Sequence, residues 1–210
     1  MSMPRGTKIT CPECKTEGNF TMWHSINVDV NPETRDRVKS GKIFEYKCDN
    51  CGKTFNIEYR FLYHDCTNRF MIWYFPKKEY DITKEMEELN NGEVSRVFGD
   101  HFDEKIRIVD DKRDLIEKIN IFEDRLNDFV IEIVKSIILE QVNENNVEIF
   151  YKEMKDNNLH FWLSNNKGAG FPYNSYLSIM SDLEINEPKK GLIVNQNTVF
   201  EYAKFKDQNK

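Results

Sequence analysis

Cys11-Pro12-Glu13-Cys14 and Cys48-Asp49-Asn50-Cys51-Gly52 are two C-x-x-C pairs separated by 33 residues, and they decide how the N-terminal part of this 210-residue chain is read. A two-residue gap lets both sulfurs of a pair reach one ion, and two such pairs supply the four thiolates of a tetrahedral structural zinc site. Pro12 stiffens the first turn, and Gly52 is free to adopt the positive φ that folds backbone amides toward the sulfurs. Ordinary buried cysteines or two redox dithiols are the competing readings. Both are disfavoured because each pair is followed by a strand pattern. Cys11, Cys14, Cys48 and Cys51 are therefore expected to hold one Zn2+ per chain, with no open coordination position and hence no catalytic role for the metal. A zinc ribbon follows, the long insertion between the pairs forming part of its sheet.

Outward from the pairs, Asn19 to Val30 alternates apolar and polar residues and stops at Asn31-Pro32. Glu33 to Lys39 suits a short helix closed by Ser40-Gly41, and Ile43, Phe44 and Tyr46 lead a strand into Cys48. From Thr54, the residues Phe55, Ile57, Tyr59, Phe61 and Tyr63 occupy alternate positions, which predicts one amphipathic strand of about ten residues. After a turn at Asp65 to Asn68, the run Phe70-Met71-Ile72-Trp73-Tyr74-Phe75 is apolar throughout. Such a run is either covered on both faces or exposed as an interaction surface, with Phe70, Ile72, Trp73 and Tyr74 as the contact residues. Further on, the pattern predicts a helix over Thr83 to Leu89 and short strands at Val94 to Phe98 and Ile106 to Val109.

Apolar steps of three and four from Leu115 to Ile137 predict a single long helix from Asp111 to about Val142, N-capped by Asp111. Its acidic residues Asp114, Glu117, Glu123, Asp124, Asp128 and Glu132 read as a solvated stripe, the alternative being a docking face for a basic partner. Past Leu126 the apolar face widens to Val130, Ile131, Val134, Ile138 and Leu139, which fits burial inside the monomer or a homodimer contact. After the polar stretch Asn143 to Asn146 come two strands, Val147 to Met154 and Leu159 to Leu163, then a Gly-containing loop over Asn165 to Gly170. A helix at Tyr173 to Leu183, a strand at Gly191 to Val194 and a helix at Thr198 to Phe205 complete the pattern. The fold class is α+β: an antiparallel sheet with a four-cysteine zinc ribbon, a long amphipathic helix, and a small C-terminal α+β unit. The expected domains are 1–143, which includes the helix, and 147–205.

The C-P-x-C opening, the Trp23 and Asn31-Pro32-Glu33 after it, the C-x-x-C-G knuckle, Phe55 to Asp65 and the Asp114-Leu115-Ile116-Glu117-Lys118-Ile119 helix together resemble the CpXC domain family of bacterial proteins, over about residues 8 to 135. The resemblance implies zinc binding through four cysteines, which map to Cys11, Cys14, Cys48 and Cys51, and brings no activity with it. Asp49 stands where the family's second motif often has Pro.

Charge narrows the partners. Residues 1–80 carry 13 Lys+Arg and 10 Asp+Glu, while 81–210 carry 17 and 26, so the acid surplus lies C-terminal and repels phosphate backbones. A nucleic-acid-binding ribbon would need Arg60, Arg69, Lys77 and Lys78 to form one exposed patch among the aromatics; alternation assigns those aromatics to a sheet core instead. His64 and Cys66 could pair as base and nucleophile only if the strand continues through Asp65. His24 beside Trp23 suits a half-buried strand position, the alternative being a hydrogen-bond donor behind the metal ligands, and His101 and His160 have no identifiable partner. Gly168-Ala169-Gly170 lacks the spacing of a phosphate loop. No apolar run approaches a membrane span, and MSMPRGTKIT has no signal-peptide core, so a cytoplasmic location is expected. The chain reads as a non-enzymatic scaffold or interaction module with a protein partner, the nucleic-acid reader and the Cys66/His64 enzyme being the alternatives.

Overall fold

Residues 1–93, 103–142, 146–188 and 190–206 are described by the computed structural model. The strand expected at Val94 to Phe98, His101, and residues 143–145 of the polar stretch lie outside them. The chain divides into two units, Met1–Lys112 and Arg113–Lys210. That division precedes the helical region, which the sequence grouped with residues 1–143.

In the first unit, β1 (Met3–Thr10) and β2 (Glu17–Asn27) form an antiparallel hairpin whose connection carries the first cysteine pair. β1 escapes sequence patterning because it is an edge strand exposed at most positions, where Pro4 is tolerated. β2 then pairs in parallel with β5 (Phe61–Asp65), β5 runs antiparallel to β6 (Phe70–Tyr74), and β6 is parallel to β7 (Lys105–Val109), giving the order β1-β2-β5-β6-β7. The α+β class is as read. The sheet, however, combines antiparallel hairpins with two parallel joins. Between β2 and β5 lie α1 (Glu33–Lys39), a 3-10 turn at Lys42–Phe44, and the small ladder of β3 (Glu45–Lys47) with β4 (Thr54–Asn56), which brackets the second cysteine pair.

The ten-residue strand expected from Thr54 is divided between two sheets, since β4 ends at Asn56 and β5 begins at Phe61. In the gap the Ile57 amide donates to the Phe44 carbonyl, and Tyr59 turns inward so that its hydroxyl donates to the Ile43 carbonyl at 3.2 Å. Alternation survives the corner because Tyr59 and Phe61 both enter one aromatic cluster with Phe44 and Tyr74. The interaction surface expected at β6 is corrected in the same way. Phe70, Ile72 and Tyr74 are core residues, because β6 has a neighbour on each side and a covered face; Trp73 alone of the four is partly exposed. After β6, α2 (Ile82–Glu88) starts at Asp81, whose carboxylate caps the Thr83 and Lys84 amides.

The long helix is two helices, α3 (Lys112–Glu123) and α4 (Asp128–Val142). α3 ends in a Schellman turn: Arg125 adopts φ 57°, its amide donates to the Phe122 carbonyl, and the Leu126 amide reaches back to Ile121. Asn127 then caps α4, its side-chain oxygen accepting from the Phe129 amide at 2.9 Å. The helices are tied by Lys118 to Asp128 (3.3 Å) and Glu132 (3.1 Å), and by Lys135 to Glu117 (3.0 Å) and Glu132 (2.9 Å). All five side chains are buried, so Glu117, Asp128 and Glu132 belong to an internal ionic network and not to a solvated stripe. The widened apolar face of α4 is likewise accounted for inside its own unit, where α4 touches β8 (Ile149–Lys155), β10 (Gly168–Pro172), α5 (Tyr173–Asp182) and α6 (Val199–Tyr202).

β8, β9 (Asn158–Leu163) and β10 form an antiparallel sheet, with Asp156 and Asn157 both at positive φ in the β8–β9 hairpin. The Gly168 to Gly170 segment, expected as a loop, is the start of β10. Tyr202 ends the last helix, and Ala203–Phe205 becomes β12, paired with β11 (Leu183–Ile185). The strand expected at Gly191 to Val194 is reduced to a single bridge at Leu192.

Candidate metal centre

The four sulfurs of Cys11, Cys14, Cys48 and Cys51 all lie within 4.8 Å of one another, Cys11 being 3.7 Å from Cys51 and Cys14 3.6 Å from Cys48. The backbone that presents them repeats itself. In the first knuckle the Cys11 amide donates to the Thr16 carbonyl and the Lys15 amide to the Cys11 carbonyl; in the second, the Cys48 amide donates to Lys53 and the Gly52 amide to Cys48. Lys15 and Gly52 hold the same place in this turn and share its left-handed conformation, at φ 60° and 72°. Glycine enters that region without penalty, whereas lysine does so against steric cost.

The knuckles are also joined to each other. Lys53 pairs with Glu13 at 2.8 Å, and the Asn50 side chain donates to the Thr16 hydroxyl at 3.1 Å. Hydrogen bonds from the Thr16 side chain, the Asn50 side chain and the Thr16 backbone bring the Cys14 thiol down to about 5. Backbone hydrogen bonding at Cys51 and Asn50 lowers Cys48. At Cys51 a Lys53 backbone hydrogen bond acts to lower the thiol, but burial and the sulfurs of Cys11, Cys48 and Cys14 outweigh it and push the group up to about 12. One cluster thus ionises its first thiols readily and resists the last, which is how four acids behave at this spacing without a cation. Four soft donors of this kind suit a thiophilic ion such as zinc.

Sequence reasoning missed the support behind the cysteines. Tyr46, two positions before Cys48, is buried, and burial first and the Cys48 sulfur second keep its hydroxyl protonated as a donor toward that sulfur. Gly18 makes room for it, since a Cβ there would stand 2.0 Å from the Tyr46 hydroxyl oxygen. The two-residue step from Tyr46 to Cys48 along a strand was the available signal.

Elsewhere, His64 Nε2 lies 3.3 Å from Cys66 Sγ and 2.8 Å from Glu104 Oε2. Asn27 donates to Cys66 Sγ at 3.2 Å, and the Cys66 amide donates to Asp29 at 2.8 Å. Thiol and carboxylate therefore compete for one ring nitrogen, and burial, followed by the nearby Asp29 and Glu104 charges, raises the Cys66 thiol. Asp65 is a buried turn carboxylate, accepting from Asn68 and Arg35. His24 is an exposed position of β2, and His160, on β9, pairs in register with Gly170 of β10. Of the basic residues named above, Arg60 faces Glu85 at 4.0 Å, Arg69 pairs with Asp103 at 3.1 Å, and Lys77 with Asp110 at 3.4 Å.

A family model described as CpXC protein matches residues 9–135, more than half of the chain and all four clustered cysteines. The chain belongs to the CpXC family. The matched region begins two residues ahead of Cys11 and ends within α4, taking in both knuckles and the α3–α4 junction. No curated protein matches the chain. No solved structure matches it either. Among the described residues, no helix is long and apolar enough to cross a membrane.

Proposed function

We propose that this CpXC protein is a non-enzymatic scaffold or protein-interaction module built on a zinc ribbon, in which Cys11, Cys14, Cys48 and Cys51 hold one Zn2+ for structural purposes. The observation that carries this reading is the convergence of four sulfurs within 4.8 Å on two knuckles of matching hydrogen bonding. Four thiolates fill a tetrahedral shell and leave no position for substrate. An inert role for Cys66 is supported by its raised thiol and by the sharing of His64 Nε2 with Glu104. A protein partner is favoured over nucleic acid because Arg60, Arg69 and Lys77 each face a carboxylate. A cytoplasmic setting goes with this reading, since a reducing compartment keeps such thiols available to metal.

The test is metal analysis of the purified full chain, followed by capture from native extract with and without nuclease. Zinc at about one equivalent, lost in Cys11→Ser, together with a nuclease-resistant protein partner, is the expected result. Full metal retention by Cys11→Ser would show the ligand set to be wrong. Nucleic acid whose removal also removes the protein partners would turn the module into a reader.

A further inference from the structure

The two faces of the five-stranded sheet are treated differently. Ile26, Tyr63, Ile72 and Tyr74 are all buried on one face. On the other, the register row Ser25–Leu62–Trp73 borders a cavity of about 670 Å3 that continues to His64 and is walled by Glu85 and Glu88 of α2 and by Arg60. That volume falls within the range of small-molecule pockets, and the mixture of aromatic surface with a few polar groups is their usual lining.

Of the cationic groups lining the cavity, Arg60 and His64 are already paired, and the Met1 terminus also borders it. Arg60 is already committed, its guanidinium facing Glu85 at 4.0 Å and lying 5.4 Å over the Tyr80 ring. His64 is held by Glu104 at 2.8 Å. Glu88, one turn on from Glu85 and therefore on the same side of α2, has no cationic partner among the described residues. Trp73 is half-buried, stacked on Phe75 at an interplanar angle of 12°, and its indole N–H has no hydrogen-bond partner among the described residues. An indole beside an unneutralised carboxylate attracts an ammonium group, through the negative ring face and through direct charge.

We propose that this cavity binds a small organic cation, an amine or quaternary ammonium with an apolar or aromatic body, with Trp73 contacting the body or the charge and Glu88 pairing with the charge. The cavity shares no lining residue with the four-cysteine cluster, so this proposal and the zinc reading succeed or fail separately.

Titration calorimetry on the metal-loaded full chain tests it, with benzyltrimethylammonium as probe and benzoate as its anionic counterpart. Saturable binding of the cation, and none of benzoate, is expected. Trp73→Leu should weaken the cation by about five- to thirty-fold, and Glu88→Gln, an exposed change that leaves the fold intact, should weaken it several-fold. Absence of saturable cation binding, equal binding of benzoate, or an unchanged affinity in Glu88→Gln would overturn the proposal.

Discussion

Lys15 and Gly52 occupy equivalent places in the two knuckles with different side chains, and the difference is measurable. Lys15→Gly should raise stability by about 0.5–1 kcal/mol, less whatever its ammonium gains from the Pro12 carbonyl at 2.8 Å, and Gly52→Ala should lower it by about 1 kcal/mol. Denaturant midpoints of the metal-loaded protein read both. Behind the ligands, Gly18→Ala displaces Tyr46 and Tyr46→Phe removes its hydroxyl. Each should weaken metal retention by about 10- to 100-fold in a chelator competition, the usual scale for groups that support ligands. An unchanged competition curve for Tyr46→Phe would leave the hydroxyl without a role. At this scale the sequence was legible where spacing alone decides, as at the four cysteines. It was silent where partners are distant along the chain: Glu104 lies 40 residues from the His64 it bonds, and nothing local announces that contact.

At the scale of elements, the α3–α4 break was written in the sequence as Asn127-Asp128, a cap followed by a first-turn acid, but the unbroken apolar rhythm on either side concealed it. Asn127→Ala should cost about 1 kcal/mol of stability and Arg125→Gly should return a similar amount, both read by far-UV circular dichroism during unfolding. The ionic network inside the pair makes a pH prediction. Burial raises Glu117 to about 7 against the opposing charge of Lys135, even though its carboxylate also accepts from the Tyr151 amide at 2.6 Å. Between the unfolded value of 4.5 and about 7 the folded state therefore binds the extra proton, so stability from this group is fully present below 4.5 and lost as pH rises through about 7. Lys118 and Lys135 are raised by their carboxylate neighbours against the penalty of burial, so their contribution holds below 10.5 and is lost above it. Glu117→Gln should flatten the dependence between pH 4.5 and 7 in a series of unfolding midpoints, and a slope equal to that of the parent chain would rule out Glu117 as its source.

At the scale of the whole molecule, hydrogen exchange with and without a chelator should separate the two units. Metal removal is expected to abolish protection in β1, β2 and the β3–β4 ladder while leaving α3, α4 and the β8–β10 sheet protected. The fold class was readable because strand and helix periods differ, and the hairpins were readable because their turns are local. The parallel joins β2–β5 and β6–β7 were not, since they depend on crossovers of some 30 residues whose return position no local signal records. The β2-to-β5 crossover also has a temporal consequence. It contains Cys48 and Cys51, while Cys14 stands just before β2, so an ion held by both pairs would pin the middle of the crossover beside the N-terminal end of β2, the end from which a parallel partner strand must set out. What remains to be closed is the short stretch from Cys51 to Phe61, a smaller entropic search than the full loop from Asn27. Under the proposed zinc reading the ion would be a clock as well as a clamp: the sheet should assemble faster on a chain that has already captured it, and the supply of free metal would set the pace at which newly made chains mature.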